Sequence, residues 1–120
     1  MTEEQEQIAL FRWAELQKGK HPELSLMFHI PNGGKRNITE AVRFKRAGVK
    51  AGVSDIFLPV ARKEYQGLFI EMKRADGGKV SDAQKRFIYA VKKQGYAASV
   101  CNGWKEAVRI IEEYLTREKT

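Results

Sequence analysis

Asp55, Glu71 and Lys73 are the residues of this chain whose types and spacing can do chemistry. Asp55 opens a short apolar run at 56–60, and Glu71 and Lys73 stand at the end of a second run that begins at Leu68. Both runs are β-branched or aromatic and bounded by glycine and polar residues, which predicts two strands. Alternate side chains of a strand share a face, so Glu71 and Lys73 point the same way, roughly 7 Å apart at about 3.3 Å per residue. If residues 61–67 close an antiparallel hairpin turning near Glu64, Asp55 falls opposite Lys73 and diagonal to Glu71. Two carboxylates and an ammonium then converge. Carboxylates that close repel and raise each other's pKa unless a cation lies between them. Mg²⁺ suits such a place, because it takes one or two carboxylates, several waters and a phosphate oxygen, and the Met72 backbone carbonyl can add one more oxygen. The ion acidifies water and polarises a phosphodiester, while Lys73 orients the water or offsets phosphate charge. A lone Glu-x-Lys on an edge strand is usually a solvated pair; what strengthens the reading is Asp55 at the mouth of the preceding strand, with glycines and cations around it.

The elements that must position these groups follow from the chain in order. Residues 2–18 have helical spacing, with Thr2 as cap, Glu3, Glu4 and Glu6 at the positive end of the dipole, and Ala9, Leu10, Trp13 and Leu16 on one face. Glu6 lies on that apolar face. It either reaches over the sheet end towards the metal site or serves only the helix terminus. After His21-Pro22, residues 24–30 read as the first strand, with His29 at its end as a candidate substrate neighbour. The two histidines lack zinc-ligand spacing. Residues 31–37 form a glycine-rich link whose amides and cations suit an approaching phosphate, and 38–47 form a short helix. Between Lys35 and Lys50 stand six basic residues, Lys35, Arg36, Arg43, Lys45, Arg46 and Lys50, against one acid, Glu40. Just before Asp55, such a run offers salt-sensitive, sequence-tolerant phosphate affinity. Its one aromatic residue, Phe44, counts among the apolar members of the short helix, which points to recognition of duplex shape rather than base stacking. Lys79, in the turn at 75–79, is a further phosphate contact. Ser81 and Gln84 form a capping box opening a helix to about 94. A fourth strand at 96–100 and an amphipathic helix through Leu115 complete the chain.

Asp55 followed by Glu71-Met72-Lys73 resembles the core of the PD-(D/E)xK nuclease superfamily. The words Pro31-Asn32-Gly33-Gly34-Lys35-Arg36, Gly48-Val49-Lys50-Ala51-Gly52-Val53-Ser54-Asp55 and Ser81-Asp82-Ala83-Gln84 resemble its VRR-NUC branch. One departure is Ser54, where the family usually has proline. The resemblance covers residues 3–95 and implies an α/β fold: a mixed β-sheet with helices on both faces, built on a restriction-endonuclease-like αβββαβ core. It implies that Gln84 lies beside the site, that Glu6 best matches the family's first-helix glutamate, and that Asn32, Lys35 and Arg36 contact a DNA backbone. The activity implied is that of a Mg²⁺- or Mn²⁺-dependent, structure-specific endodeoxyribonuclease. Stand-alone members resemble Holliday-junction resolvases, which act as homodimers on branched duplex DNA. The alternatives are a monomeric flap or nicking enzyme and a basic DNA-binding module without catalysis.

The bounds of the chain agree with that class. Its 120 residues suit one domain spanning 1–120. Twenty-two Lys and Arg against 15 Asp and Glu leave +7, which favours a polyanionic partner. One cysteine, Cys101, excludes an internal disulfide and suits a reducing, cytoplasmic compartment. No apolar run is long enough to span a bilayer, so no membrane is expected. Nothing in the motifs calls for an organic cofactor.

Overall fold

The computed structural model describes residues 1–31 and 37–120. Four helices, α1 (Glu3–Leu16), α2 (Ile38–Arg46), α3 (Asp82–Lys93) and α4 (Trp104–Leu115), accompany four strands, β1 (Phe28–His29), β2 (Ile56–Leu58), β3 (Leu68–Lys73) and β4 (Ala97–Asn102). The sheet order is β1-β2-β3-β4, with the first two pairings antiparallel and β3–β4 parallel. This is the mixed α/β architecture expected, with one change at the start. Residues 22–26 form a 3-10 turn, and only Phe28 and His29 are strand. Pro22 sits at the first position of that turn, where its fixed φ suits a helical start. Leu24 and Met27, three residues apart, are the buried pair, so a turn's spacing replaced the strand's alternation.

Parity divides the sheet into two unlike faces. Ile56, Leu58, Leu68, Ile70, Met72 and Cys101 turn one way into the core, against Leu10 and Ala14 of α1 and Ala107 and Ile111 of α4. Phe57, Phe69, Glu71 and Lys73 turn the other way, towards α3, whose Phe87 ring lies 5.2 Å from that of Phe69. α3 buries no residue completely, so this second face is only partly roofed. Helices thus lie on both faces. Three bonds, the first of them buried, lock the far end of the core: the Arg62 guanidinium donates to Leu115 O, Ala61 O and Glu23 Oε2, the last at 2.7 Å. The backbone hydrogen bond at Glu23, and then the Arg62 contact, hold that carboxyl below its ordinary range.

The hairpin between β2 and β3 differs from the sequence expectation in register. Ile56 pairs with Ile70 and Leu58 with Leu68; one step further places Asp55 opposite Glu71, not Lys73. The chain turns at Lys63-Glu64 inside an Arg62–Tyr65 bridge, with Glu64 at φ 76°. A kink closed by Val60 N–H donating to Leu58 O takes up the remaining residues. Facing residues on antiparallel strands share a face, so the two carboxylates meet more directly than anticipated.

The loop into Asp55 is fixed by Gly52. Its φ is +86°, and a Cβ there would lie 2.5 Å from the Ala83 backbone carbon and oxygen in the first turn of α3. Only glycine permits both the left-handed turn and this approach. Gly52→Ala is expected to cost about 2–4 kcal/mol in urea unfolding. Gly48→Ala, at φ +102° with nothing within 4 Å, is expected to cost only about 1 kcal/mol.

Candidate active site

The site lies where β3 ends beside the loop into β2. Asp55 Oδ2 accepts the Met72 N–H at 2.8 Å. Backbone groups of one strand residue face the same neighbour, so the Met72 carbonyl also faces the Asp55 side. The Asp55 carbonyl accepts Ile30 N–H at 2.7 Å and sits 2.7 Å from His29 Nδ1. His29 therefore anchors the aspartate's backbone. Glu71 and Lys73 are 2% and 5% exposed, a depth at which a charge needs a partner. Gln84 supplies the link: its amide donates to Glu71 Oε2 at 3.1 Å, and its carbonyl oxygen accepts from Lys73 Nζ at 3.1 Å. The same carbonyl oxygen accepts Ser81 N–H within the capping box, so Gln84 does both jobs at once. Lys73 Nζ is 3.7 Å from Glu71 Oε2.

One atom is left over. Glu71 Oε1 is buried and has no hydrogen-bond partner. Glu71 is pushed up from its ordinary 4.5 to about 8, by burial first, then by the adjacent Asp55 carboxyl, against the opposing pull of Lys73. An orphaned carboxylate oxygen pressed against a second carboxyl is what a hard cation relieves. The residues therefore fit Mg²⁺ or Mn²⁺, with Asp55, Glu71 and the Met72 carbonyl as the protein oxygens. Among the described residues no group of three or more His, Cys, Asp or Glu is placed to hold a metal ion.

The first helix divides its acids in a way the sequence did not disclose. Glu6 is buried at 3%, and its Oε1 accepts Trp104 N–H at 3.0 Å. It caps α4, whose N-cap Gly103 has φ 88° and no side chain to do so. Glu3, one turn outward on the same helical face, is the acid nearer the site. Its charge helps to raise Glu71, and its Oε2 lies 3.6 Å from where a Cβ on Gly78 would stand, beside the Lys73 stem at 3.3 Å. The signal was the i, i+3 spacing of Glu3 and Glu6 on one stripe.

The cations spread outside this pocket. Arg43, Lys45, Arg46, Lys50 and Lys79 are exposed and form no ion pair among the described residues. α2 carries three of them, and the loop at 47–54 leads from it to Asp55. Asn32, Lys35 and Arg36 lie outside the described residues. Ser54, in place of the family proline, is buried with its hydroxyl unpartnered. Burial pushes the Cys101 thiol up to about 12, so it is not a nucleophile.

A half-roofed mixed sheet with an Asp, Glu and Lys gathered at one strand end defines an α/β domain of the restriction-endonuclease-like class. The VRR-NUC domain profile matches residues 1–105. A solved "VRR_NUC domain protein" is similar over 99% of this chain and 92% of its own length, at 34% identity and a TM-score of 0.87. No curated protein matches the chain. The chain belongs to the VRR-NUC domain family, which implies a nuclease-type function with DNA as substrate.

Two outcomes follow from the geometry. Glu6→Ala, which strips the cap from α4, is expected to lose about 1–2 kcal/mol in thermal unfolding while the folded fraction keeps its activity. For pH, a carboxyl raised in the folded state binds a proton that the unfolded chain has released. Its contribution to stability therefore falls as pH rises from about 4.5 to about 8. In chelator, wild type is expected to lose about 4 kcal/mol relative to Glu71→Gln between pH 5 and pH 9 in urea titrations, and Mg²⁺ is expected to offset that loss.

Proposed function

We propose that the protein is a Mg²⁺- or Mn²⁺-dependent endonuclease that hydrolyses phosphodiester bonds in structured DNA, with Asp55, Glu71 and Lys73 as its working groups. The observation that carries this reading is the buried, unpartnered oxygen of Glu71 beside Asp55. When bound, the ion supplies Lewis acidity and a lowered water pKa. The chain does the rest. Met72 N–H fixes one Asp55 oxygen and so aims the other, and the Gln84 amide does the same for Glu71. Lys73 has three N–H donors; one goes to Gln84 and one faces Glu71, which leaves the third for the attacking water or a phosphate oxygen. Glu3 adds negative charge at the rim. Arg43, Lys45, Arg46, Lys50 and Lys79 grip flanking phosphates, together with Asn32, Lys35 and Arg36 of the glycine-rich link. Two copies related by a twofold axis would make the paired cuts that a four-way junction requires, which is the resolvase-like form of this reading.

Cleavage of duplex, flap, splayed and four-way DNA with Mg²⁺, Mn²⁺ or chelator tests the proposal. Glu71→Gln and Lys73→Ala are expected to lower the rate at least about 100-fold, with DNA affinity in chelator retained. Undiminished cutting by Glu71→Gln would sink the assignment. Light scattering that finds only monomer, with and without junction, would remove the resolvase form alone.

A further inference from the structure

Strand register assembles an aromatic row on the face that carries Asp55 and Glu71. Phe28 pairs with Phe57 and Phe57 with Phe69. The Phe57 and Phe69 rings stack at 4.3 Å, and Phe28 meets Phe57 edge-on at 5.9 Å. Tyr96 lies 5.9 Å from Phe57 and 5.4 Å from Phe69, and Phe87 of α3 closes the Phe69 side at 5.2 Å. A Cβ on Gly67 would strike the Phe57 ring at 2.9 Å, so that ring is held from below. α3 roofs the β3–β4 half of the face. At the other end the row runs out into solvent, where Phe28 is 47% exposed.

A single exposed phenylalanine is ordinary. This one is continuous with the candidate active site. Phe57 is two residues from Asp55 on the same face, roughly 7 Å along the strand, within reach of the nucleotide next to a phosphate held at Asp55. Phe28 stands beside it on the neighbouring strand, braced by its edge-to-face contact, and the Ile30 amide that follows is tied to the Asp55 carbonyl. Aromatic side chains are how proteins hold unpaired bases, because every base has a π-face.

We propose that Phe28, backed by Phe57 and Phe69, is a stacking platform for an unpaired nucleobase adjacent to the scissile phosphate. The favoured substrate then carries single-stranded nucleotides at the cut, as a flap or splayed arm does. An uninterrupted duplex keeps its bases stacked on one another and cannot use the platform. The position of the phosphate rests on the nuclease reading above.

The test uses the whole chain in chelator, with 2-aminopurine at the first unpaired position of a splayed duplex. Wild type and Phe28→Trp are expected to quench the probe. Phe28→Leu keeps apolar bulk without the π-face; it is expected to lose the quenching and to bind splayed DNA about 5- to 100-fold more weakly, with affinity for plain duplex unchanged. Equal quenching by Phe28→Leu, or equal weakening on duplex and splayed DNA, overturns the platform. So does a dimer in light scattering that Phe28→Leu dissolves, since that assigns the ring to a second copy. Failure of wild type to cut any DNA with metal overturns the nuclease reading instead, and leaves the quenching result to decide the platform by itself.

Discussion

The structure turns on a shortage of positive charge at one strand end. Glu71 is almost wholly buried, faces a second carboxyl and has a single ammonium near it. Burying an ionised carboxylate is expensive unless it is paired and fully hydrogen-bonded. Here one oxygen is satisfied by Gln84 and Lys73 while the other has nothing. A domain of this size has only a modest core with which to offset such a penalty. The fold concentrates that core on the opposite face, where β3 is flanked by Leu10, Ile56 and Ile111. Stability and chemistry are thereby assigned to opposite sides of the same six residues of β3.

Much of the site was legible because it depends on local parity. Glu71, Met72 and Lys73 alternate in any strand, and Asp55 had to enter from the next one. The fold order was legible for the same reason, since each helix showed its period or its cap. Register was not, because the Lys63-Glu64 turn and the Val60 kink shift the pairing without changing any side chain's face. The division between Glu3 and Glu6 was also hidden. It depends on α4 starting at a glycine, which leaves a helix N-terminus for an acid 98 residues earlier to cap.

The aromatic row escaped a linear reading for a related reason. Searching the basic run for interleaved aromatics assumes that stacking groups and cations share one segment. In the fold the rings come from β1, β2, β3 and α3 with Tyr96, and the cations come from α2 and the loops. Only strand pairing brings the rings together. α2 itself buries none of its residues and leaves Ile38 and Val42 open beside its arginines, so its amphipathic period does not mark a core helix.

Long-range and short-range electrostatics oppose each other in this molecule, and the opposition makes sense of both. A net +7 attracts a polyanion from a distance, and exposed side chains such as Arg43, Lys45, Arg46, Lys50 and Lys79 can move to meet phosphates. Asp55, joined by Glu71 once that carboxyl ionises towards pH 8, would repel the one phosphate that must come closest. On the metal-dependent reading proposed above, a cation held by Asp55 and Glu71 would offset that repulsion and let the phosphate approach. Because Gln84 and the Met72 amide hold the carboxylates in place beforehand, this change requires no rearrangement of β3. Under the nuclease reading proposed above, holding the strand and cutting it would fall to different groups, the exposed cations and the buried carboxylates.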